Sequence, residues 1–331
     1  MANDEVIKIQ HFLPRCYLNG FVNSTGKVIT LNLEELIKYN KIPQPKEYTP
    51  AQFCYENDFY TLEEGMESFG VKDIEDKYYI EKKFNQYERK YQNLIDKIRI
   101  SQILTIEDAR FLVHIIFDIK FRNKYFREKI VAPQQAKMVN DASDEIKELI
   151  INDDDYIGKY EGLTREEVLT LSESMRERLS SDPDFKKKAH LSAIYRQNDG
   201  YSEALSLTKE KFLHSTWQIM ESEGQFISKD NPGSSIDAEN KINNFLTTKD
   251  FLFFMPLTSS ICFSMSSVVI DVSFNSSSIS KNLNKVKAEQ LMIDASNNST
   301  LHHFNKYIYG SDLLLMKDIS KNLHLNSAQV K

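Results

Sequence analysis

Glycine is scarce in this chain, with ten residues in 331. A phosphate-cradling loop needs glycine where the backbone must approach the phosphate, and neither GxGxxG nor GxxxxGK[ST] occurs. Cysteine is scarcer still. Cys16, Cys54 and Cys262 are odd in number, far apart and without a CxxC pair. That excludes a cysteine-rich zinc site and suits a reducing cytosol. No run of about eighteen apolar residues occurs. The nearest, 251–270, is broken by Pro256 and several serines and reads as strands. The first residues, Met1 to Glu5, are acidic and hold no apolar run, so no secretory signal is expected and the cytoplasm is the expected compartment. There is no GxSxG to present a serine nucleophile and no HExxH zinc motif. Positive charge is not in excess either. A formal net charge of −6 argues against a bulk nucleic-acid coat or an anionic membrane surface, while leaving room for a nucleotide or a local basic patch.

What the chain does have is aromatic mass, 16 Tyr and 20 Phe, on an ordinary globular background of 41% hydrophobic and 27% charged residues. Its densest stretch lies at the start: His11, Pro14, Tyr17, Leu18 and Phe21, in the pattern His-x-x-Pro-x-x-Tyr-Leu-x-x-Phe. Short strands are expected over 5–11 and 27–33, separated by a turn at Asn23-Ser-Thr-Gly26. An extended loop carries Pro43, Pro45 and Pro50. The spacing of Ile80, Phe84, Tyr87, Tyr91, Leu94, Ile95 and Ile98 predicts an amphipathic helix over 77–99. At about 100° per residue, Glu81 and Glu88 fall together at the edge of its apolar stripe, where they either face solvent or hold a cation.

Thr105 caps the next helix, which is apolar nearly all round and therefore expected to be central. Its polar residues Arg110, His114, Asp118 and Arg122 recur every four positions, forming either its one wet face or an internal network. Helices are expected over 125–150 with a break at Pro133, over 164–179, over 182–196, and over 208–220 carrying Trp217. Asn152 to Asp155 lacks calcium-loop spacing and reads as a solvated turn, and Asp199-Gly200 as another. Strands follow near 225, at 251–257, 261–265 and 268–274. Helix returns over 284–308, where the adjacent His302 and His303 would point apart, and again in the tail from Leu313.

The expected fold is α+β and mainly α. A helical body carries a small mixed or antiparallel sheet made by the N-terminal strands and those within 225–274. The expected organisation is one domain over 1–331, with a helical subdomain or insertion at 130–205.

The order of signals adds a family expectation. After the opening motif come Phe59-Tyr60, the helical pair Glu81 and Glu88, the apolar helix ending near Arg122, Phe226-Ile227-x-x-Asp230-Asn231-Pro232, and Pro256-Leu257. This order resembles the bacterial family catalogued as domain of unknown function 4238, over roughly residues 8–310. The chain departs from the family pattern after Arg122, where Asn123-Lys124 stands in place of a frequent Thr-Pro. The resemblance implies site residues and no reaction. Its candidates are His11, Glu81, Glu88 and Asp230 for catalysis, with Arg122 and Asn231 for substrate binding.

If these residues converge, a His/acid/Arg pocket suits phosphate chemistry: carboxylates and His for a divalent metal or for acid–base work, and Arg for phosphate charge. That would make the protein a hydrolase or nuclease. The competing expectation is a non-catalytic binding or sensor module in which the same residues form a structural polar network. An enzyme needs them at the floor of an open pocket, whereas a structural network is sealed. The sequence assigns no partner and no oligomeric state.

Overall fold

A computed structural model describes residues 9–71, 76–157, 159–160, 162–198, 203–247, 249–271, 274–275 and 277–325. It is mainly helical α+β, as the patterning predicts. In chain order the described elements begin with β1 (Ile9–His11), α1 (Arg15–Leu18), β2 (Val28–Asn32), α2 (Glu34–Tyr39), β3 (Lys46–Tyr48) and β4 (Tyr55–Asn57). The long helix α3 (Tyr79–Ile100) follows, then β5 (Ile103–Thr105) and α4 (Ile106–Arg122). A π-helical turn at Phe126–Val131 runs straight into α5 (Ala132–Asn152), so the chain stays helical through Pro133, where a break was expected, and the wider turn before it accommodates the missing N–H. Then come α6 (Asp154–Ile157), α7 (Arg165–Ser181), α8 (Pro183–Asn198) and α9 (Glu203–His214). Strands β6 (Ser215–Glu221), β7 (Ser228–Lys229), β8 (Ser234–Asp237), β9 (Ile242–Asn243), β10 (Phe251–Pro256), β11 (Ile261–Ile270), β12 (Ser280–Asn282) and β13 (Asn284–Lys287) lead to α10 (Gln290–Thr300), β14 (Tyr307–Gly310) and α11 (Leu313–Leu325).

Among the described residues, two sheets of four or more strands organise this. The larger runs β13-β6-β11-β10-β8-β9 and is antiparallel except for the β13–β6 pair. The smaller runs β3-β2-β14-β7. The N-terminal strands β2 and β3 therefore meet the 225–274 region only through β7, on the far side of β14. The hairpin of Phe251–Ile270 builds a separate sheet, because its buried positions pair instead with Trp217 and Ile219 of β6.

Several local expectations change. The strands expected at 261–265 and 268–274 are one, β11, which runs from Ile261 to Ile270 with a register shift after Met265. The helix expected to reach Met220 stops at His214, and Trp217 lies on β6. There Trp217 and Ile219 are buried while Thr216 and Gln218 are less so, a period of two that belongs to a strand. Trp217 still reaches back, donating from Nε1 to the Phe212 carbonyl at 2.7 Å. The helix expected over 284–308 is only α10, flanked by β13 and β14, which pair with β6 and β2. His302 and His303 accordingly lie beyond its end, with His303 in a left-handed conformation at φ 53°. The acidic run after Asn152 forms the one-turn helix α6 and is exposed. The Asp199-Gly200 turn lies outside the described residues.

Helix α3 buries Ile80, Phe84, Tyr91, Leu94, Ile95 and Ile98, the predicted stripe. Helix α4 lies on the large sheet through aromatic contacts. Phe117 meets Phe212 and Phe245 at 5.1 Å between ring centroids, and Phe245 meets Phe253 of β10 at 5.5 Å.

The opening motif closes this core. Phe12, Leu13, Tyr17, Leu18 and Phe21 are all buried, and Pro14 sits at the N-terminus of α1. The Tyr17 hydroxyl donates to the Pro256 carbonyl at 2.6 Å and shares a 2.8 Å hydrogen bond with the Ser228 hydroxyl. Tyr91 donates to the neighbouring Leu257 carbonyl at 2.9 Å, and the Ser259 N–H donates to the Gly20 carbonyl at 2.8 Å. A Cβ at Gly20 would stand 2.9 Å from the Leu257 carbonyl oxygen, so residue 20 has no room for a side chain. The Tyr-Leu and Pro-Leu motifs, more than two hundred positions apart, are thus one contact. Tyr17→Phe leaves the Pro256 carbonyl without its donor and is expected to cost about 1–3 kcal/mol in urea unfolding at unchanged m. An unshifted midpoint would contradict this assignment.

Candidate functional site

The polar seam of α4 begins wet and ends buried. Arg110 is exposed, His114 is intermediate, and Asp118 and Arg122 are buried. A guanidinium so placed costs several kcal/mol unless its charge and N–H groups are matched, and Arg122 is matched by three elements. Nη1 donates to Glu88 Oε1 of α3 at 3.1 Å. Nη2 donates to the main-chain carbonyl of His11 at 2.8 Å. Nε donates to the Tyr60 hydroxyl at 3.3 Å, which itself donates to the Arg122 carbonyl at 2.5 Å. The Phe84 ring covers the guanidinium at 3.9 Å. Burial pulls the pKa of Arg122 down, but Tyr60, Glu88, Asp118 and Glu81 outweigh it and hold it above the ordinary value.

Around this cation the charges are unevenly satisfied. Burial pushes Glu81 from 4.5 up to about 7, against the pull of Arg122 and with help from Glu88. Burial likewise pushes Asp118 from 3.8 up to about 6, although Arg122 and Lys209 oppose it. His11 falls to about 4 through burial and the positive charge of Arg15, and His114 to about 4 through burial and Lys209. One buried atom on each lacks a hydrogen-bond partner among the described residues: His11 Nε2, Glu81 Oε2, His114 Nε2 and Asp118 Oδ1.

Asp230 and Asn231 build a second centre. The Asp230 carboxylate accepts the N–H groups of Asn305 at 2.8 Å, Lys306 at 2.6 Å and Tyr307 at 2.9 Å. Burial raises its pKa to about 6 in spite of those three donors. The Asn231 amide oxygen accepts from Lys120 Nζ at 3.0 Å and Asn123 Nδ2 at 3.1 Å, and its nitrogen donates to Asn244 Oδ1 at 2.6 Å. Lys120 is fully buried and also donates to the carbonyls of Gly233 at 2.9 Å and Asn244 at 2.7 Å. These acceptors are neutral, and burial followed by Lys229 holds Lys120 well below the ordinary lysine pKa.

Of the predicted site residues, Glu81, Glu88 and Arg122 therefore gather on one centre, which His11 joins through its main-chain carbonyl while its ring lies against Tyr55, and Asp230 and Asn231 build another. The cation at the Glu81–Glu88 edge is Arg122. Among the described residues no group of three or more His, Cys, Asp or Glu is placed to hold a metal ion. Sequence reasoning missed Lys120, Asn123 and Asn244. A lysine inside so apolar a helix was the available signal for the first, and the Asn123-Lys124 departure from the family pattern for the second. Asn123 closes α4 by accepting the Phe126 N–H at 2.9 Å while tying the helix end to Asn231.

Glu81 makes the centre's pH dependence testable. Its folded-state pKa lies above its usual value, so its contribution to stability is fully present below about pH 4.5 and is lost as pH rises through about 7. Glu81→Gln keeps the neutral form at every pH. The variant is expected to match wild type near pH 4.5 and to exceed it by ~2 kcal/mol near pH 8, allowing for partial exposure. His11 and His114 titrate in both proteins and cancel in the difference. Chemical unfolding across that range checks it, and a difference independent of pH would contradict the burial of a neutral Glu81.

A model of the family described as Protein of unknown function (DUF4238) matches residues 9–312. No curated protein and no solved structure matches the chain. The match runs from β1 through β14, and the chain belongs to the DUF4238 family.

Proposed function

We propose that this protein is a non-catalytic binding module in which the polar residues singled out by the family resemblance form a structural network. One observation carries this. Arg122, the residue best suited to clamp a phosphate, is only 2% exposed and points its hydrogen bonds at protein atoms, one of them the main-chain carbonyl of His11. A ligand could reach it only by displacing Phe84 or the N-terminal segment. Asp230 is spent in the same way, on three backbone N–H groups. The chain is read as one domain, with the helices within 130–205 as an insertion. A cytoplasmic setting is supported by three free cysteines, two of them buried, with burial pushing the Cys262 thiol up to about 12. No described helix is long and apolar enough to cross a membrane.

A hydrolase or nuclease reading draws on a different observation. His11 Nε2 and Glu81 Oε2 are each buried without a hydrogen-bond partner among the described residues, and burial holds His11 at about 4 and raises Glu81 to about 7, values that suit a base and an acid respectively. The two readings separate on one experiment. The full chain is incubated with nucleotides and phosphodiesters, with and without Mg²⁺ or Mn²⁺, and both turnover and melting temperature are followed. The binding-module reading expects stabilisation by a ligand without turnover. It also expects Arg122→Met to lower stability by about 3 kcal/mol through the charges left unpaired. Turnover abolished by Glu81→Gln and by His11→Ala would overturn it in favour of the hydrolase.

A further inference from the structure

The two polar centres have one neighbour in common. A cavity of about 320 Å³ is lined by Phe12, Cys54, Glu56, Lys124, Lys306 and Tyr307, among others. Each centre holds a wall of it. Arg122 grips the carbonyl of His11, and the next residue, Phe12, donates from its N–H to the Cys54 carbonyl at 3.0 Å, which fixes the β1–β4 ribbon. Asp230 grips the N–H groups of Asn305, Lys306 and Tyr307, which form the facing wall. Lys124 follows Asn123, the residue that ties the end of α4 to Asn231. At Cys54 the backbone adopts φ 57°, a left-handed conformation that a non-glycine residue takes only when its surroundings impose it.

The charge inside the cavity is unbalanced. Among its described lining residues two lysines, Lys124 and Lys306, face one carboxylate, Glu56. Lys124 pairs with Glu56 at 2.8 Å, and Arg127, outside the lining, divides itself between Glu56 at 3.3 Å and Glu128 at 3.5 Å. Lys306 reaches in from the opposite wall while pairing at 2.9 Å with Glu34, which is not among the lining residues. Both lysine side chains are about one-third exposed, at 35% and 34%, and so remain open to a ligand. Glu56 is the one carboxylate among the described lining residues; the Lys306 amine lies 5.2 Å from the centre of the Tyr307 ring, and Tyr55 also lines the cavity. The volume lies at the small end of the range for small-molecule sites.

We propose that this cavity binds a phosphate-bearing small molecule of mononucleotide size, with Lys124 and Lys306 supplying charge from two walls and the tyrosine rings flanking its planar part. It deepens the binding-module reading and rests on it: the buried centres shape the pocket, and residues that the family pattern does not mark contact the ligand. The test is calorimetric titration of the full chain at low salt with AMP, adenosine and inorganic phosphate as separate probes. AMP is expected to bind, adenosine to bind at least tenfold more weakly, and AMP affinity to fall with rising salt. Lys124→Ala and Lys306→Ala are each expected to weaken AMP at least tenfold, Lys124→Arg to retain most of it, and Lys137→Ala, on α5, to change nothing. The salt dependence is read on the wild-type chain and does not depend on any variant folding. The proposal is overturned if AMP does not bind, if adenosine binds as well as AMP, or if the two alanine variants bind like wild type. Hydrolysis of bound AMP that still depends on both lysines would overturn the binding-module reading and leave the pocket in place.

Discussion

One buried guanidinium ties the N-terminal segment to the helical body. Arg122 has left water almost completely, and the cost of that is offset only because Glu88, Tyr60 and the His11 carbonyl converge on it from three parts of the chain. The arrangement is cooperative by construction. The His11 carbonyl is available because the segment around it is anchored by Phe12, Leu13, Tyr17, Leu18 and Phe21, and that segment is anchored where Tyr17 finds Ser228 and Pro256. Removing any member exposes the others to an unpaired buried charge or acceptor.

The second centre repeats this logic with different chemistry. Asp230 uses a carboxylate to collect three backbone N–H groups, and Lys120 uses a buried amine to collect carbonyl and amide oxygens. Helix α4 serves both, because Lys120 and Asn123 face one centre while Arg122, only one or two positions away, faces the other. The last turn of a single apolar helix thereby sets the spacing between the β1–β4 ribbon and the Asn305–Tyr307 turn. Lys124 and Lys306, each about one-third exposed, stand on those boundaries.

Periodic patterns were readable in the sequence, and long-range partners were not. The stripe from Ile80 to Ile98, the Thr105 cap and the strands beginning at Phe251 and Ile261 follow from local spacing, and each stands where it was expected. The β6 strand was hidden because Phe212 and Leu213 of α9 run into Trp217 and Ile219 without a breaker, and apolar continuity alone does not tell helix from strand. The same holds for β13 and β14, short strands whose identity comes from pairing with β6 and β2. In the candidate site, Arg122, Glu81 and Glu88 were legible as residues. Their common cation was not, because a carboxylate pair at a helix edge looks the same whether it faces solvent or an arginine from another helix. Asp230 entered through the family resemblance. Its three N–H partners lie about 75 residues further on, beyond any local signal.

The central claim is that Arg122 acts by holding the N-terminal segment in place. Hydrogen–deuterium exchange of wild type against Arg122→Met tests it most directly, because exchange reports which backbone hydrogen bonds the guanidinium protects. Faster exchange at the β1–β4 ribbon and around α1, with β10 and β11 unchanged, is the predicted result. Unchanged protection of β1 and β4 in a folded variant that has lost ligand binding or turnover would contradict it, and would place Arg122 in direct contact with the ligand.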